Sequence, residues 1–331
     1  AVLASEWALE DAGLLGHEVI TSGLTGIAYG SSSGTPSSVG DFGKMLFNKT
    51  TDGINANSYI KMMPHTTTSN IGIFFGITGR IIPSSTACTS GSISIGYAYE
   101  TIKTGKQIVM LAGGSEELCA TQAAVFDTLY ATETDNENPD DCPKPYDLKR
   151  KGLVVGEGAG TLILEEYEHA MERGANIYAE VVGFGTNSDG SHVTQPNKTT
   201  MARAMELSLS DAGLEPSDIQ YINGHGTATD SGDIAESQAT ANVFGNGVPF
   251  SALKGYIGHT LGGAGALEAW MSLHMMKERW FAPNLNLNTL DERCGDLNYI
   301  RNNPLTLDAQ IIMSNNFAFG GVNTSLIFKK L

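Results

Sequence analysis

The sequence predicts an α/β fold, on three observations. Apolar runs of strand length alternate with amphipathic stretches of helical period along the chain, the pattern of sheets covered by helices. A helix closing on Asp-Ala-Gly precedes a strand-like run twice, at Leu9–Gly13 and again at Asp211–Gly213, which hints at a duplicated unit. Glycine-framed polar residues stand at the ends of several strand-like runs, where α/β folds assemble their sites. The expected division is an N-terminal half over 1–175 and a C-terminal half over 176–331.

Taken in order, Ala1–Leu14 reads as an amphipathic helix with Val2, Leu3, Trp7 and Leu14 near one face and Gly13 at its C-cap. It opens without methionine and already inside a helical pattern, so the chain is expected to start part-way along a longer protein. Ile20–Tyr29 is strand-like, Gly30–Gly40 (GSSSGTPSSVG) a loop lining a site, and Asn70–Gly79 a small-residue helix. The β-branched run from Ile81 leads to Cys88, after which Ile93, Tyr97 and Glu100 follow at helical spacing. Gln107–Gly114 (QIVMLAGG) has the continuous apolar character of a buried parallel strand. A short helix at Ala120–Tyr130 and an acidic loop at Thr132–Pro145 precede strands at Gly156–Tyr167 and Tyr178–Gly185, with a helix end at Glu168–Gly174 between them. The second half offers a helix at Thr199–Gly213, a strand at Ile219–Asn223, a helical stretch from near Asp233, a long helix at Ala264–Lys277, and closing strands at Ile311–Ser314 and Ser325–Phe328.

Hydrophobic residues at 41% and charged residues at 17% describe a soluble globular chain. The net charge of −16 argues against nucleic acid or an anionic membrane as partner. No apolar stretch reaches membrane-spanning length. Cys88, Cys119, Cys142 and Cys294 form neither a CxxC pair nor a metal-ligand cluster with histidine, so reduced thiols in a cytoplasmic protein without a bound metal are expected.

Cys88 sits on a strand-to-helix elbow, with small residues on either side that would leave room for a substrate. Its sulfur lies at the positive end of a helix dipole, which is expected to favour thiolate and to make it react with iodoacetamide before the other three cysteines. A free cysteine is more often buried and inert, and the elbow alone leaves both readings open. Three further stretches bear on it. Tyr221–Asp230 (YINGHGTATD) places His225 between Gly224 and Gly226 with Glu236 beyond it, Lys254–Gly265 (KGYIGHTLGGAG) places His259 after Lys254, and Asn315–Asn323 (NNFAFGGVN) is a glycine loop carrying Phe317 and Phe319. One histidine in a loop is usually structural. Two histidines, a lysine and a cysteine, all at strand ends among small residues, point to a nucleophilic site.

STACTSG around Cys88, GHGT around His225, KGYIGH ending in His259 and NNFAFGG before the last strand resemble the β-ketoacyl-ACP synthases, the elongating condensing enzymes of fatty acid and polyketide or aryl polyene synthesis. The resemblance spans the whole chain. It implies a thiolase-like five-layer αβαβα sandwich of two similar halves, lacking the family's first strand and early helices here, and a homodimer or a heterodimer with a related subunit. The activity implied is decarboxylative condensation of malonyl-ACP with an acyl group on Cys88, with acyl carrier protein as partner and no cofactor beyond the carrier's own phosphopantetheine. His225 and His259 would stabilise the enolate, Lys254 near Glu236 would hold them neutral, and the N–H groups of Cys88 and Phe319 would form an oxyanion hole. Phe126, Thr227, Thr229, Phe317 and Phe319 are the implied substrate contacts. Ser33, on the loop that closes the acyl channel in the family, implies a long, unsaturated or aryl-ended acyl chain. Ile257 replaces the family's threonine, and Tyr130 an arginine used in carrier docking.

Other classes use less of the constellation. A thiol hydrolase leaves one histidine and Lys254 idle, and a thiolase needs a second cysteine for which Cys294, in a polar loop, is poorly suited. The non-enzymatic alternative is a chain-length-factor-like partner subunit.

Overall fold

The computed structural model describes residues 1–331. The first half runs α1 (Val2–Asp11), β1 (Thr25–Gly30), α2 (Pro36–Asn48), α3 (Ala56–Met62), α4 (Thr66–Phe75), β2 (Ile81–Ser84), α5 (Ser90–Lys103), β3 (Val109–Glu116), α6 (Ala120–Thr128), β4 (Gly158–Glu165) and α7 (Tyr167–Glu172). The second runs β5 (Glu180–Ser188), α8 (Lys198–Ala212), β6 (Tyr221–Gly224), α9 (Asp230–Phe244), β7 (Pro249–Ala252), α10 (Lys254–Ile257), α11 (Ala264–Glu278), β8 (Trp280–Phe281), β9 (Asn298–Tyr299), β10 (Leu305–Thr306), β11 (Ile311–Phe317) and β12 (Val322–Lys329).

The strands form one sheet of order β2-β1-β3-β4 and another of order β5-β12-β11-β6-β7-β9, with β8 and β10 as a separate ladder. The duplication is visible in their directions. β2, β1 and β3 are mutually parallel and β4 runs antiparallel to β3; β7, β6 and β11 are parallel and β12 runs antiparallel to β11. Helices α5 and α11 pack between the two sheets, α1 and α4 cover the outside of the first, and α8 with α9 beside it covers the second. The result is five layers, αβαβα.

Strand alternation distributes the core among these layers. In β3, Val109 and Leu111 face outward to Leu9, Leu14 and Ile71, while Met110 and Ala112 face the central helices. In β11, Ile312 faces the centre and Met313 the outer layer. Each fully buried Ile or Leu contributes about 1.5–3 kcal/mol. The central helices cross closely because their residues are small. A Cβ on Gly91 would stand 2.8 Å from the Ala266 nitrogen, and one on Gly265 2.7 Å from that of Ser92. The small residues after Cys88, expected to make room for substrate, instead seat one helix against the other.

The Gly/Ser stretch is shorter than expected, because Pro36 occupies the first turn of α2, a position its fixed φ suits. The strand expected from Ile20 begins at Thr25, after a 3₁₀ turn at Glu18–Ile20. Strands β7 to β10 have two to four residues each, too few to show a period. No helix is long and apolar enough to cross a membrane.

Candidate active site

Cys88 lies in a 3₁₀ turn at Ala87–Thr89, between β2 and α5. His225 follows the end of β6, and His259 lies between α10 and α11. The Cys88 sulfur and a ring nitrogen of each histidine all lie within 4.8 Å of one another. All three residues are buried and line one cleft. Phe126, Thr227, Thr229, Phe317 and Phe319 line the same cleft. The Phe126 and Phe319 rings meet at 5.3 Å beside the cysteine.

The backbone N–H groups of Phe319 and Cys88 lie close enough to the sulfur to favour its anion. They do not win. Burial pushes the Cys88 thiol up to about 11, opposed by the Lys254 charge and these two N–H groups. The expected resting thiolate is therefore corrected: removal from water outweighs the helix terminus.

The hydrogen bonds fix the histidine tautomers. Lys254 Nζ stands 3.0 Å and Asn316 Nδ2 3.2 Å from His225 Nδ1; both are donors, so Nδ1 accepts and Nε2 carries the proton. The Leu261 N–H donates to His259 Nδ1 at 3.3 Å, with the same consequence. Burial first, then the Lys254 charge, holds both rings well below the ordinary histidine value and hence neutral.

Glu236 does a different task from the one expected. Its carboxylate accepts the backbone N–H groups of His225 and, at 2.8 Å, Gly226, and the Tyr146 hydroxyl at 3.1 Å. It shapes the glycine turn; Gly226 has φ +42°, and a Cβ there would stand 2.3 Å from that of Ala252. Burial raises the Glu236 carboxyl to about 7, against the Gly226 N–H. The carboxylate that pairs with Lys254 is Glu268 of α11, fully buried, whose other oxygen accepts from Asn316 Nδ2 at 2.6 Å.

Two signals for this network were present in the sequence. Glu268 is a lone carboxylate on the face of α11 that also buries Ala264, Ala269 and Ser272. Asn316 shares the β11 face of Ile312 and Ser314 by strand alternation.

Ser33 does not line the cleft. Its hydroxyl donates to Glu116 Oε1 at 2.9 Å and accepts from Gln122 Nε2 at 2.6 Å. Both of these bonds are to groups of the protein itself.

Residues 1–170 match the family model described as beta-ketoacyl synthase, N-terminal domain, and residues 178–288 its C-terminal domain. The chain is 37% identical over 336 residues to 3-oxoacyl-[acyl-carrier-protein] synthase 1 of Escherichia coli (strain K12), covering 100% of this chain and 81% of that relative. It is similar to the crystal structure of a beta-ketoacyl synthase from Burkholderia phymatum STM815, with a TM-score of 0.99, 59% identity, and coverage of 100% of this chain and 81% of the other. It is also similar to a type II PKS ketosynthase solved in complex with its acyl-carrier protein and bound to the hexaketide, at TM-score 0.89 and 30% identity over 99% of this chain and 83% of that one.

Proposed function

The chain belongs to the β-ketoacyl synthase family, and we propose on that premise that it condenses malonyl-ACP with an acyl group held on Cys88, giving 3-oxoacyl-ACP in fatty acid or polyketide elongation. The observation that carries the reading is the grouping of one thiol with two neutral histidines, each left with an Nε2 proton, around one cleft.

In the first half-reaction the Cys88 sulfur attacks the acyl thioester of the carrier. An S–C bond forms, the carrier thiolate departs, and the proton leaving Cys88 ends on that thiolate. The thiolate is the attacking form, and the Lys254 charge and the N–H groups of Cys88 and Phe319 favour it against burial as the proton leaves. The tetrahedral oxyanion faces the N–H groups of Cys88 and Phe319; loss of one such donor typically costs about 2.7–4 kcal/mol.

In the second half-reaction the malonyl C–C bond breaks, CO₂ leaves, and the electron pair remains as an enolate. The two Nε2–H groups donate to its oxygen. The enolate carbon attacks the acyl carbonyl, Cys88 is expelled as thiolate, and a proton from solvent restores the thiol.

A metal-free, cofactor-free centre is part of the proposal. Binding a metal through Nε2 would need both tautomers reversed, against the donors on each Nδ1. The phosphopantetheine arm belongs to the carrier. Acyl carrier protein is the partner, as it is for the similar ketosynthase solved with its own. A second copy or a related subunit is the other, supported by the open edge at β2 and by Ile73 and Phe74, exposed on the adjoining α4. Four unpaired cysteines support a reducing compartment, the cytoplasm.

The test incubates the chain with acyl-ACP and malonyl-ACP and measures 3-oxoacyl-ACP by mass. Wild type should form it with release of CO₂, and Cys88→Ala should not. Product from Cys88→Ala, or none from wild type, overturns the reading.

A further inference from the structure

Glu116, the last residue of β3, is buried at the same end of the sheets as Cys88, and its carboxylate is ringed by donors. Oε1 accepts from the Ser31 hydroxyl at 3.1 Å and from the Ser33 N–H and hydroxyl at 3.3 and 2.9 Å. Oε2 accepts from the Ser32 N–H at 2.9 Å, the Ser32 hydroxyl, and the Gly262 N–H at 3.0 Å. One carboxylate thus binds the loop after β1 to the turn that follows His259. The same loop reaches the Cys88 elbow, where the Ser85 hydroxyl donates to the Ser31 carbonyl at 2.9 Å. It also reaches α6, which carries Phe126, through Ser33 and Gln122.

The turn it grips is the one that sets the His259 tautomer. Leu261, whose N–H occupies His259 Nδ1, has φ +47°, a left-handed conformation that a leucine rarely adopts unaided. Gly262, the next residue, gives its N–H to Glu116, and a Cβ there would stand 2.8 Å from Glu116 Oε2. We propose that Glu116 is a positioning residue, whose carboxylate holds the Leu261–Gly262 turn so that His259 keeps the Nε2 proton it donates to the enolate. This rests on the condensing function proposed above.

An amide cannot replace the carboxylate. Whichever way it turns, its NH₂ meets a backbone N–H, that of Ser33 on one side or those of Ser32 and Gly262 on the other. The charge matters separately. Around the Cys88 sulfur, the Lys254 cation favours the thiolate, the Glu116 anion opposes it, and His225 and His259 are neutral. Loss of the Glu116 charge therefore eases ionisation of Cys88 while loss of the turn impairs His259, two effects of opposite sign that mere loosening of the fold does not produce.

The experiment uses the full chain and Glu116→Gln, with Glu116→Asp as the variant that keeps the charge. Three quantities are measured: CO₂ release from malonyl-ACP, acyl loading of Cys88 from acyl-ACP by mass, and the pH profile of iodoacetamide alkylation on the Cys88 peptide. Glu116→Gln should slow CO₂ release by about tenfold or more and loading by no more than about threefold, as expected for a displaced catalytic group. Its alkylation profile should move to lower pH, while that of Glu116→Asp stays near wild type. Equal loss of CO₂ release and loading, or an unmoved alkylation profile in Glu116→Gln, overturns the proposal. If Glu116→Gln fails to fold, by circular dichroism, Glu116→Asp decides it: CO₂ release impaired beyond loading supports the role, and equal losses overturn it. Absence of CO₂ release by wild type sinks the condensing function instead, and the alkylation profile then judges Glu116 alone.

Discussion

Lys254 holds His225 twice: its Nζ donates to the His225 carbonyl oxygen at 2.6 Å and stands 3.0 Å from Nδ1 of the ring. The lysine reaches this position from the start of α10, and Glu268, on α11, balances its charge. Both members of the pair are buried. Such a pair stabilises little relative to apolar residues, yet removing one partner strands the other charge. Lys254→Met should therefore cost about 3–5 kcal/mol in urea unfolding, and adding Glu268→Gln should recover part of that loss. Equal stability of the single and double variants would contradict the pairing. CO₂ release should stay impaired in both, because His225 Nδ1 has lost one of its two donors.

The histidines also fix a dependence on pH. Burial and Lys254 hold both rings well below the ordinary value of 6.5, so the unfolded chain binds protons that the folded chain refuses. Stability from these two groups is complete above pH 6.5 and is lost as pH falls below it. Over the same range, CO₂ release from malonyl-ACP should show no drop centred near 6.5, since both rings remain neutral donors. Urea unfolding between pH 7 and pH 5 should show a loss of stability in wild type that is smaller in His225→Ala. A rate that titrates at 6.5 would mean that a solvated histidine controls the step.

The layers and strand ends were legible because long elements repeat their period. β3, α8 and α11 each run long enough to expose a buried face, and the four motifs named the groups that meet in the cleft. Pairing within the site was harder to read. The family resemblance sets Lys254 near Glu236, and nothing in the sequence spacing separates that carboxylate from Glu268. Glu268 reaches Lys254 only through the path of α11 between the sheets. The state of Cys88 is hidden from the sequence for a related reason. A helix N-terminus can be read from small residues after a strand, whereas the depth at which five layers bury it cannot. Ser33 sat in a recognisable loop, but its partners Glu116 and Gln122 come from β3 and α6.

Cysteine reactivity should follow exposure, not the helix dipole. The Thr121 hydroxyl lowers the Cys119 thiol, while burial raises Cys142 and pushes Cys294 up to about 11, as it does Cys88. At pH 7 a thiol of that value is thiolate in only about one molecule in 10⁴. Iodoacetamide at neutral pH should label Cys119 first, and labelling of Cys88 should climb as pH rises toward 11. Peptide mass mapping over a pH series gives the order directly. Cys88 reacting first at pH 7 would mean that the helix terminus and Lys254 overcome burial after all.

The last prediction concerns Ser33, where the family resemblance and the geometry diverge. If Ser33 were the floor of the acyl channel, Ser33→Phe would shorten the channel and change the preference between acyl chains. Its hydroxyl instead donates to Glu116 and accepts from Gln122, and the cleft around Cys88 is lined without it. A phenylalanine there removes both bonds and leaves the Gln122 amide without that partner, a loss of about 1–3 kcal/mol. Ser33→Ala removes the same hydroxyl without adding bulk and should lose a similar amount. Loading of Cys88 from saturated and polyunsaturated acyl-ACP of equal length should fall together in Ser33→Phe, with their ratio held within about twofold, because loosening the Glu116 loop acts on every substrate alike. A ratio that swings strongly in Ser33→Phe but not in Ser33→Ala would return Ser33 to the channel and make bulk at that position, not the Glu116 contact, the determinant of chain preference.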